Sequence, residues 1–278
     1  MTILDGKKVK IEILNELKNK LKELNNPLGL AVIQIGEDPA SSVYIKNKYK
    51  MANDLGYKFI HLHLEDSVSE KEVLSKIDEL NNDDSIDGIL VQMPIPKHLN
   101  PKCIQNAIDP FKDVDGLTDV SMGRLTHGVD SLIPCTPMGI IDLLDNYNID
   151  IEGKCVVIVG RSDLVGKPLA SLMTNRNATV ILCHSKTNNL CEYTKLADIL
   201  VSCVGKPKFI TNDMIKDNCV VVDVGINKTE NGLVGDVDFD DVKEKVKYIT
   251  PVPGGVGQMT VAELGLNTYK AHMLRKKL

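Results

Sequence analysis

A serine, a tyrosine and a lysine share one face of a helix that the sequence predicts over residues 39–53. Ser41, Tyr44 and Lys48 stand at positions i, i+3 and i+7, so Tyr44 and Lys48 are neighbours on the helix surface. A lysine acts as a base near pH 7 only when its amine is neutral, and an unperturbed pKa of about 10.4 leaves roughly one amine in 2,500 in that form. Burial or nearby cations would have to lower that pKa by about 3. The spacing allows a proton-handling pair, but the same pair also occurs on solvent-exposed helix faces.

Other polar residues follow predicted strands or lie in predicted loops. Gln92 ends the apolar strand GILVQ, so its amide should project from the strand tip into a cleft. Asp113 and Asp115 lie in the loop KDVDG, where an isolated aspartate is also commonly a solvated or capping residue. The nearly uncharged segment Thr250 to Gly257 (TPVPGGVG) is predicted to be irregular. It is either a loop in close contact with a flat ligand or a tight connection before the last helix.

A second candidate site follows the predicted strand 155–159. The loop from Gly160 to Pro168 leads from that strand into a helix, a setting in which backbone N–H groups and the helix N-terminus bind phosphate. Its spacing is not G-x-G-x-x-G, so an ordinary strand–helix turn remains the alternative to a dinucleotide site. The next strand ends in His184-Ser185 without the acidic residue that binds the ribose in NAD sites. Since Arg161 and Ser185 could bind a 2′-phosphate, the pattern favours NADP over NAD.

Apolar periodicity predicts the elements that position these residues. Strand-like and helix-like segments alternate from end to end, which indicates an α/β protein with two open, mostly parallel sheets. The predicted strands are 30–35, 58–64, 88–92, 155–160, 178–183, 199–204, 219–224 and 248–250; the predicted helices are 7–24, 39–53, 70–80, 139–146 and 260–278. The prolines between 94 and 110 predict a long loop region.

Composition excludes several classes of protein. The length of 278 residues suggests two domains, and 43% hydrophobic with 26% charged residues is ordinary for a globular protein. A formal net charge of -5 gives no indication of nucleic-acid binding, and no apolar run is long enough to span a membrane. The seven cysteines form no C-x-x-C pair, and His61 and His63 have no evident third ligand, so neither disulfides nor a metal is expected. We expect a cytoplasmic protein.

Taken together, a series of short runs resembles the bifunctional methylenetetrahydrofolate dehydrogenase/methenyltetrahydrofolate cyclohydrolase family over nearly the whole chain. No run is decisive alone, but their shared order is specific. The runs are Ala40-Ser41-x-x-Tyr44-x-x-x-Lys48, Asp87 to Pro94, Lys112 to Gly116, Pro134 to Pro137, Gly160-Arg161-Ser162, Val165 to Pro168, His184-Ser185, Asp223 to Asn227 and Thr250 to Gly257.

The resemblance implies two α/β domains flanking a cleft. Residues 1–138 would form an N-terminal folate-binding catalytic domain, completed by a C-terminal helix over 259–278. Residues 139–258 would form a Rossmann-like NADP-binding domain. A homodimer is also implied, although nothing in the sequence identifies its interface.

The resemblance also implies a role for individual residues. Lys48 would transfer protons in the cyclohydrolase step with the assistance of Gln92, while Tyr44 would stack on the folate and Asp115 would hold the pterin ring. Arg161 and Ser185 would bind the 2′-phosphate of NADP. The remaining expected contacts are Ser41, Pro253, Gly254, Gly255 and Val256 for the folate, and Gly160, Ser162 and Ile226 for the cofactor.

The implied activity is oxidation of 5,10-methylenetetrahydrofolate with NADP, followed by hydrolysis of the 5,10-methenyl product to 10-formyltetrahydrofolate. A dehydrogenase without cyclohydrolase activity and a non-catalytic nucleotide-binding protein on the same fold are the alternatives. Two positions depart from the family pattern. Gln258 replaces a usual proline and is expected to loosen the loop or to add an amide to the pocket. Asp163 places a carboxylate near the expected phosphate site, which is unfavourable unless it points outward.

Overall fold

Continuous apolar strands form a parallel sheet in each of two units of the chain. The computed structural model describes residues 1–230 and 232–276, with the backbone alone at 39 and 40. Unit I comprises Glu12–Cys135 and the chain from Val261, and unit II comprises Met1–Ile11 and Thr136–Thr260. Residues 1–11 group with the second half of the chain in this division. The reason is that strand Thr2–Ile3 pairs with strand Tyr248–Ile249, a long-range contact with no local sequence signal. The predicted domain boundaries stay a prediction.

The described residues form eleven strands and ten α-helices. The strands are β1 (Thr2–Ile3), β2 (Gly29–Ile35), β3 (Lys58–Leu64), β4 (Gly88–Val91), β5 (Cys155–Val159), β6 (Thr179–Cys183), β7 (Ile199–Ser202), β8 (Val220–Asp223), β9 (Asn227–Thr229), β10 (Gly232–Val234) and β11 (Tyr248–Ile249). The helices are α1 (Gly6–Leu21), α2 (Pro39–Leu55), α3 (Glu70–Asn81), α4 (Pro101–Asn106), α5 (Asp119–Thr126), α6 (Cys135–Asn146), α7 (Gly166–Asn175), α8 (Leu190–Thr194), α9 (Phe239–Val242) and α10 (Val256–Arg275).

Unit I contains a three-stranded parallel sheet in the order β3-β2-β4. Successive side chains of a strand point to opposite faces, and both faces of β2 are apolar. Leu30 and Val32 belong to one buried cluster, together with residues of α2 and α10. Ala31 and Ile33 belong to another, together with residues of α3 and α4. Burial on both faces explains why β2 is a continuous apolar run rather than an alternating one.

Unit II contains a six-stranded parallel sheet in the order β1-β11-β8-β7-β5-β6. Strand β5 lies between β6 and β7, with Val159 in register with Cys183 on one side and with Ser202 on the other. The two parallel sheets confirm the predicted fold class. The antiparallel pair β9–β10 and the short strand β1 were not predicted, since each has only two or three residues.

Two predictions of irregular structure were partly wrong. The region between residues 94 and 110 contains α4, in which Pro101 occupies the first turn and Asn100 caps the helix by accepting from the N–H groups of Lys102 and Cys103. Proline suits that position because the first N–H groups of a helix have no partner within it. The segment Thr250 to Gly257 is irregular only as far as Gly255. Helix α10 begins at the next residue, the buried Val256.

The buried side chain of Lys112 closes the C-terminal end of α3. Its Nζ donates to the carbonyl oxygens of Leu80, Asn81 and Asp83 at 3.0, 2.7 and 2.9 Å. The Leu80 and Asp83 carbonyl oxygens also accept from the backbone N–H groups of Asp83 and Ile86. The ammonium group therefore adds a second donor to these two and ties them to the Asn81 carbonyl at the end of the helix. We expect Lys112→Met to lower the free energy of unfolding by about 2–4 kcal/mol, because it removes three hydrogen bonds that a buried ammonium group donates. Urea denaturation measures this, and an unchanged midpoint would contradict the assigned role.

None of the helices described here combines the length and the apolar character that a membrane crossing requires.

Candidate active site

Helix α2 presents the three residues that the sequence analysis grouped. Its first turn is capped by Asp38, whose carboxylate accepts from the Ser41 N–H at 2.7 Å. The Ser41 hydroxyl is buried and donates to the Met93 carbonyl oxygen at 3.3 Å. Two turns further along, Lys48 Nζ donates to Gln92 Oε1 at 2.9 Å. Both ends of the group therefore contact the chain that follows β4, whereas the Tyr44 ring is 46% exposed and free to meet a ligand.

Gln92 is oriented by its own neighbourhood. It follows directly after β4 and is buried, as expected for a residue at a strand tip. Its Nε2 donates to the Met93 carbonyl oxygen at 2.7 Å. Because the donor end of the amide is engaged there, the acceptor end faces the lysine. The structure thus brings Lys48 and Gln92 into contact across 44 residues of sequence.

The loop that carries Asp115 runs beside β4. The Ile89 N–H donates to the Lys112 carbonyl oxygen at 2.7 Å, which attaches the loop to the sheet. Asp113 is buried and accepts from the N–H groups of Leu117 and Thr118, so it is a structural residue. Asp115 is half-buried. Gly116 follows with φ 68°, and a Cβ there would collide with the backbone at Ile133 and Pro134.

Lys48 and Asp115 influence each other's ionisation. Burial lowers the pKa of Lys48, and the carboxylate of Asp115 only partly opposes that effect. Burial raises the pKa of Asp115, and the Lys48 ammonium opposes the rise. The pKa of Lys48 therefore moves in the direction that a proton-accepting amine requires, which the sequence alone did not establish.

Cys135 is a member of this cluster that sequence reasoning missed. It is the first residue of α6 and is buried, and its Sγ donates to the Val114 carbonyl oxygen at 3.3 Å. Burial and the charge of Asp115 raise the pKa of the Cys135 thiol well above its usual value, so the thiol stays protonated. The run Pro134 to Pro137 was the available signal, but a buried cysteine alone indicates only packing.

In unit II, the residues predicted to bind the cofactor follow adjacent strands. Val159 and Cys183 are paired in register, and the Gly160 N–H donates to the Cys183 carbonyl oxygen at 2.9 Å. Arg161 and Ser185 each come two residues after that pair, and both are exposed. Parallel strands present their carboxyl ends at one edge of the sheet, so these two side chains emerge at the same edge.

The turn after β5 is tight enough to require glycine. Gly160 has φ 127°, and a Cβ there would collide with Cys203 at the end of β7. A Cβ on Gly166, the first residue of α7, would collide with the Gly160 carbonyl. Ser162 is exposed, and its Oγ accepts from the Val165 N–H at 3.2 Å. The backbone therefore approaches the N-terminus of α7 closely, as a phosphate-binding turn requires.

Asp163 does not leave an isolated negative charge at this turn. Its carboxylate forms an ion pair with Lys167 at 2.5 Å, four residues further on. The pairing offsets the repulsion expected between Asp163 and a bound phosphate.

Two buried aspartates hold the loops after β7 and β8. Asp236 accepts from the consecutive N–H groups of Val204–Lys206, from the Ser202 hydroxyl and from Asn227 Nδ2. Asp223 accepts from three backbone N–H groups, among them that of Asp236, and burial raises its pKa to about 6. The exposed Ile226 lies in the chain that these contacts position. No local pattern identifies Asp236, because its partners at Val204–Lys206 are distant along the chain.

The proposed folate loop belongs to unit II. Pro253 is exposed, whereas Gly255 and Val256 are buried. The Gly254 carbonyl oxygen accepts from the Lys7 N–H at 3.2 Å, which attaches the loop to the start of α1. The assignment of Pro253 to Val256 to folate binding stays a prediction.

Gln258 is part of the first turn of α10 rather than of the irregular loop. Its Oε1 accepts from Lys10 Nζ at 3.3 Å, and its N–H donates to the Gly255 carbonyl oxygen at 3.1 Å. Proline is tolerated in a first turn but supplies neither contact. We expect Gln258→Pro to lower the free energy of unfolding by about 1 kcal/mol and to leave the folate KM within about twofold. Steady-state kinetics with urea denaturation tests this; a large change in KM would place Gln258 in the pocket.

The chain is similar to known proteins over nearly its whole length. The family model for the tetrahydrofolate dehydrogenase/cyclohydrolase catalytic domain matches residues 4–115, and the model for the NAD(P)-binding domain of the same family matches residues 134–276. The bifunctional protein FolD of Bacillus subtilis is 49% identical over 274 residues, which are 97% of each chain.

Two solved structures have the same fold. That of the bifunctional FolD methylenetetrahydrofolate dehydrogenase/cyclohydrolase from Campylobacter jejuni has a TM-score of 0.97 at 46% identity and covers 99% of each chain. That of the Trypanosoma brucei enzyme, complexed with NADP cofactor and an inhibitor, has a TM-score of 0.94 at 32% identity. It covers 100% of this chain and 99% of the other.

Proposed function

The chain belongs to the tetrahydrofolate dehydrogenase/cyclohydrolase family, and from that membership we propose how its own residues serve the two reactions. It is an NADP-dependent methylenetetrahydrofolate dehydrogenase and methenyltetrahydrofolate cyclohydrolase. The first reaction oxidises 5,10-methylenetetrahydrofolate to the 5,10-methenyl cation. The second adds water to that cation and opens the ring to give 10-formyltetrahydrofolate.

The residues after β5 and β6 suit NADP. The close approach of Gly160 and Gly166 brings the turn after β5 against the N-terminus of α7, which favours an anion such as a pyrophosphate. Arg161 and Ser185 supply a cation and a hydroxyl for a 2′-phosphate, and β6 ends in His184-Ser185 instead of the acidic residue of NAD sites. When bound, NADP supplies the acceptor for the two electrons that the folate loses.

We assign the proton transfers of the cyclohydrolase step to Lys48. Water that adds to the methenyl carbon must lose a proton, and the neutral amine of Lys48 accepts it. The hydrogen bond to Gln92 Oε1 holds Nζ in place, and burial lowers the pKa of the amine so that a larger fraction is neutral. This contact between a desolvated amine and an oriented amide is the observation on which the proposal depends.

We assign substrate binding in unit I to Tyr44, Ser41 and Asp115. The exposed Tyr44 ring offers a face for stacking on the folate. Asp115 is half-buried beside Lys48 and offers acceptor oxygens for the N–H groups of a pterin ring. Ser41 attaches the start of α2 to Met93 and so supports the positions of Tyr44 and Asp115. We further propose that the enzyme is a cytoplasmic homodimer that supplies 10-formyltetrahydrofolate for purine biosynthesis.

The alternative of a dehydrogenase without cyclohydrolase activity predicts a disrupted Lys48 environment, and the Lys48–Gln92 contact argues against it. Product analysis tests the choice directly. Purified enzyme is given 5,10-methylenetetrahydrofolate with NADP or NAD, methenyl product is measured after acid quenching, and 10-formyl product is assayed separately.

We expect both products with NADP. Methenyl product without accelerated 10-formyl formation would favour the monofunctional enzyme. No turnover with either cofactor would favour a binding protein.

A further inference from the structure

A buried asparagine on α10 joins the two chain segments that carry Asp115 and Cys135. Asn267 is 5% exposed, and its Nδ2 donates to the Val114 carbonyl oxygen at 2.9 Å and to the Ile133 carbonyl oxygen at 2.7 Å. The two acceptors are separated by 19 residues of sequence but meet at one amide. Both N–H bonds of the side chain are thereby used.

The Val114 carbonyl is the point at which these contacts converge. It accepts from Asn267 Nδ2 and also from Cys135 Sγ, at 2.9 and 3.3 Å. This carbonyl belongs to the peptide bond that leads into Asp115. Two donors on one carbonyl fix the plane of that peptide and hence the direction in which the Asp115 side chain leaves the backbone.

The rest of the loop does not supply the same constraint. Asp113 holds the chain that follows Asp115, because its carboxylate accepts from the N–H groups of Leu117 and Thr118. Gly116 has φ 68°, in the left-handed region that glycine visits readily. The Gly116 N–H donates to the Asp113 carbonyl oxygen at 2.9 Å, so these contacts hold the chain around Asp115. The contact on the Val114–Asp115 peptide itself comes from α10 and Cys135.

We propose that Asn267 is a positioning residue for the folate site, which holds Asp115 in the orientation that binds the substrate. The inference rests on the proposed assignment of Asp115 to folate binding. Asn267 is buried, and its amide contacts the Val114 and Ile133 carbonyl oxygens and Cys135 Sγ, the last at 3.6 Å. Its effect on the substrate would therefore be transmitted through the Val114–Asp115 peptide, to whose carbonyl Cys135 also donates. A misplacement of about 1 Å in a binding group is enough to cost up to roughly 100-fold in activity.

Thr268 offers a matched control for the substitution of Asn267. It is the next residue of α10, is fully buried, and its hydroxyl donates to the Leu264 carbonyl oxygen within the helix. Thr268→Ala thus removes a buried hydrogen bond of the same helix without touching either loop. A general loss of packing should affect Thr268→Ala and Asn267→Ala alike.

The test measures folate KM and kcat for both activities in the full-length enzyme. We expect Asn267→Ala to raise the folate KM by roughly 10- to 100-fold in both reactions and to leave the NADP KM unchanged. Thr268→Ala should leave the folate KM within about twofold of the wild-type value. If Asn267→Ala does not fold, Asn267→Asp, which keeps the shape but loses both N–H donors, is measured in its place. A fall in kcat with an unchanged folate KM would overturn the inference, because it would indicate only a smaller folded fraction.

A double-mutant cycle with Asp115→Ala separates this inference from the proposed function. If Asn267 acts through Asp115, adding Asn267→Ala to Asp115→Ala should raise the folate KM by less than about twofold more. If the fold-increases in folate KM caused by Asn267→Ala and Asp115→Ala instead multiply in the double variant, the two residues act independently and the positioning role of Asn267 is overturned. A folate KM unaffected by Asp115→Ala alone would instead overturn the assignment of Asp115.

Discussion

Lys48→Ala is expected to abolish cyclohydrolase turnover, with a loss of at least about 10²- to 10⁴-fold in kcat, the usual contribution of a positioned acid–base group. Among the described residues, the Lys48 amine is the only group that donates a hydrogen bond to Gln92 Oε1. Burial lowers the pKa of this amine. Hydrolysis of supplied 5,10-methenyltetrahydrofolate measures this step without NADP. Near-wild-type formation of 10-formyl product would exclude Lys48 as the proton-transfer residue.

The pH dependence adds a second readout for Lys48. In the proposed mechanism the neutral amine of Lys48 is the active form, so the rate should rise with pH and level off above the pKa of Lys48 in the enzyme. Because burial lowers that pKa, the rise should be centred below 10.5, the ordinary value for lysine. The variant Lys46→Ala, on the exposed side of the same helix, serves as the control and should keep the wild-type rate and profile.

Arg161→Ala is expected to weaken NADP binding by roughly 10- to 100-fold, which corresponds to about 1.5–3 kcal/mol for hydrogen bonds to a charged group. NAD lacks the 2′-phosphate, so its KM should change by less than about twofold. The register of β5 with β6 brings Arg161 and Ser185 to the same sheet edge, where both could contact the phosphate as proposed. Dehydrogenase kinetics with each cofactor measure the ratio, and an equal loss for NADP and NAD would reject the assignment.

A second arginine of unit II provides the control for this change. Arg176 follows the C-terminal end of α7, the opposite end from the phosphate-binding turn, and pairs with both carboxylate oxygens of Asp145 at 2.7 and 2.9 Å. Arg176→Ala should leave the preference for NADP over NAD unchanged. Cyclohydrolase activity should survive both arginine substitutions, because that reaction does not consume the cofactor.

Local patterns predicted most of the fold. Continuous apolar runs such as GILV and CVVIV indicated buried parallel strands, because strands covered on both faces have no polar side. Helical spacing likewise placed Tyr44 and Lys48 on one face of α2. Proline was misleading at Pro101, where it begins a helix instead of ending one, since position within the first turn decides which effect proline has.

Periodicity and short runs of neighbouring residues were enough to predict the fold class, the order of the motifs and the residue types available for chemistry. Which of these residues contact one another depends on how distant segments pack, and no local pattern shows it. Three sets of contacts join segments from different parts of the chain. They are the Lys48–Gln92 hydrogen bond, the hydrogen bonds of Asp236 to the loop after β7, and the hydrogen bonds of Asn267 to Val114 and Ile133. The lowered pKa of Lys48 has the same origin, since desolvation depends on what packs around the amine and not on the residues beside it in sequence.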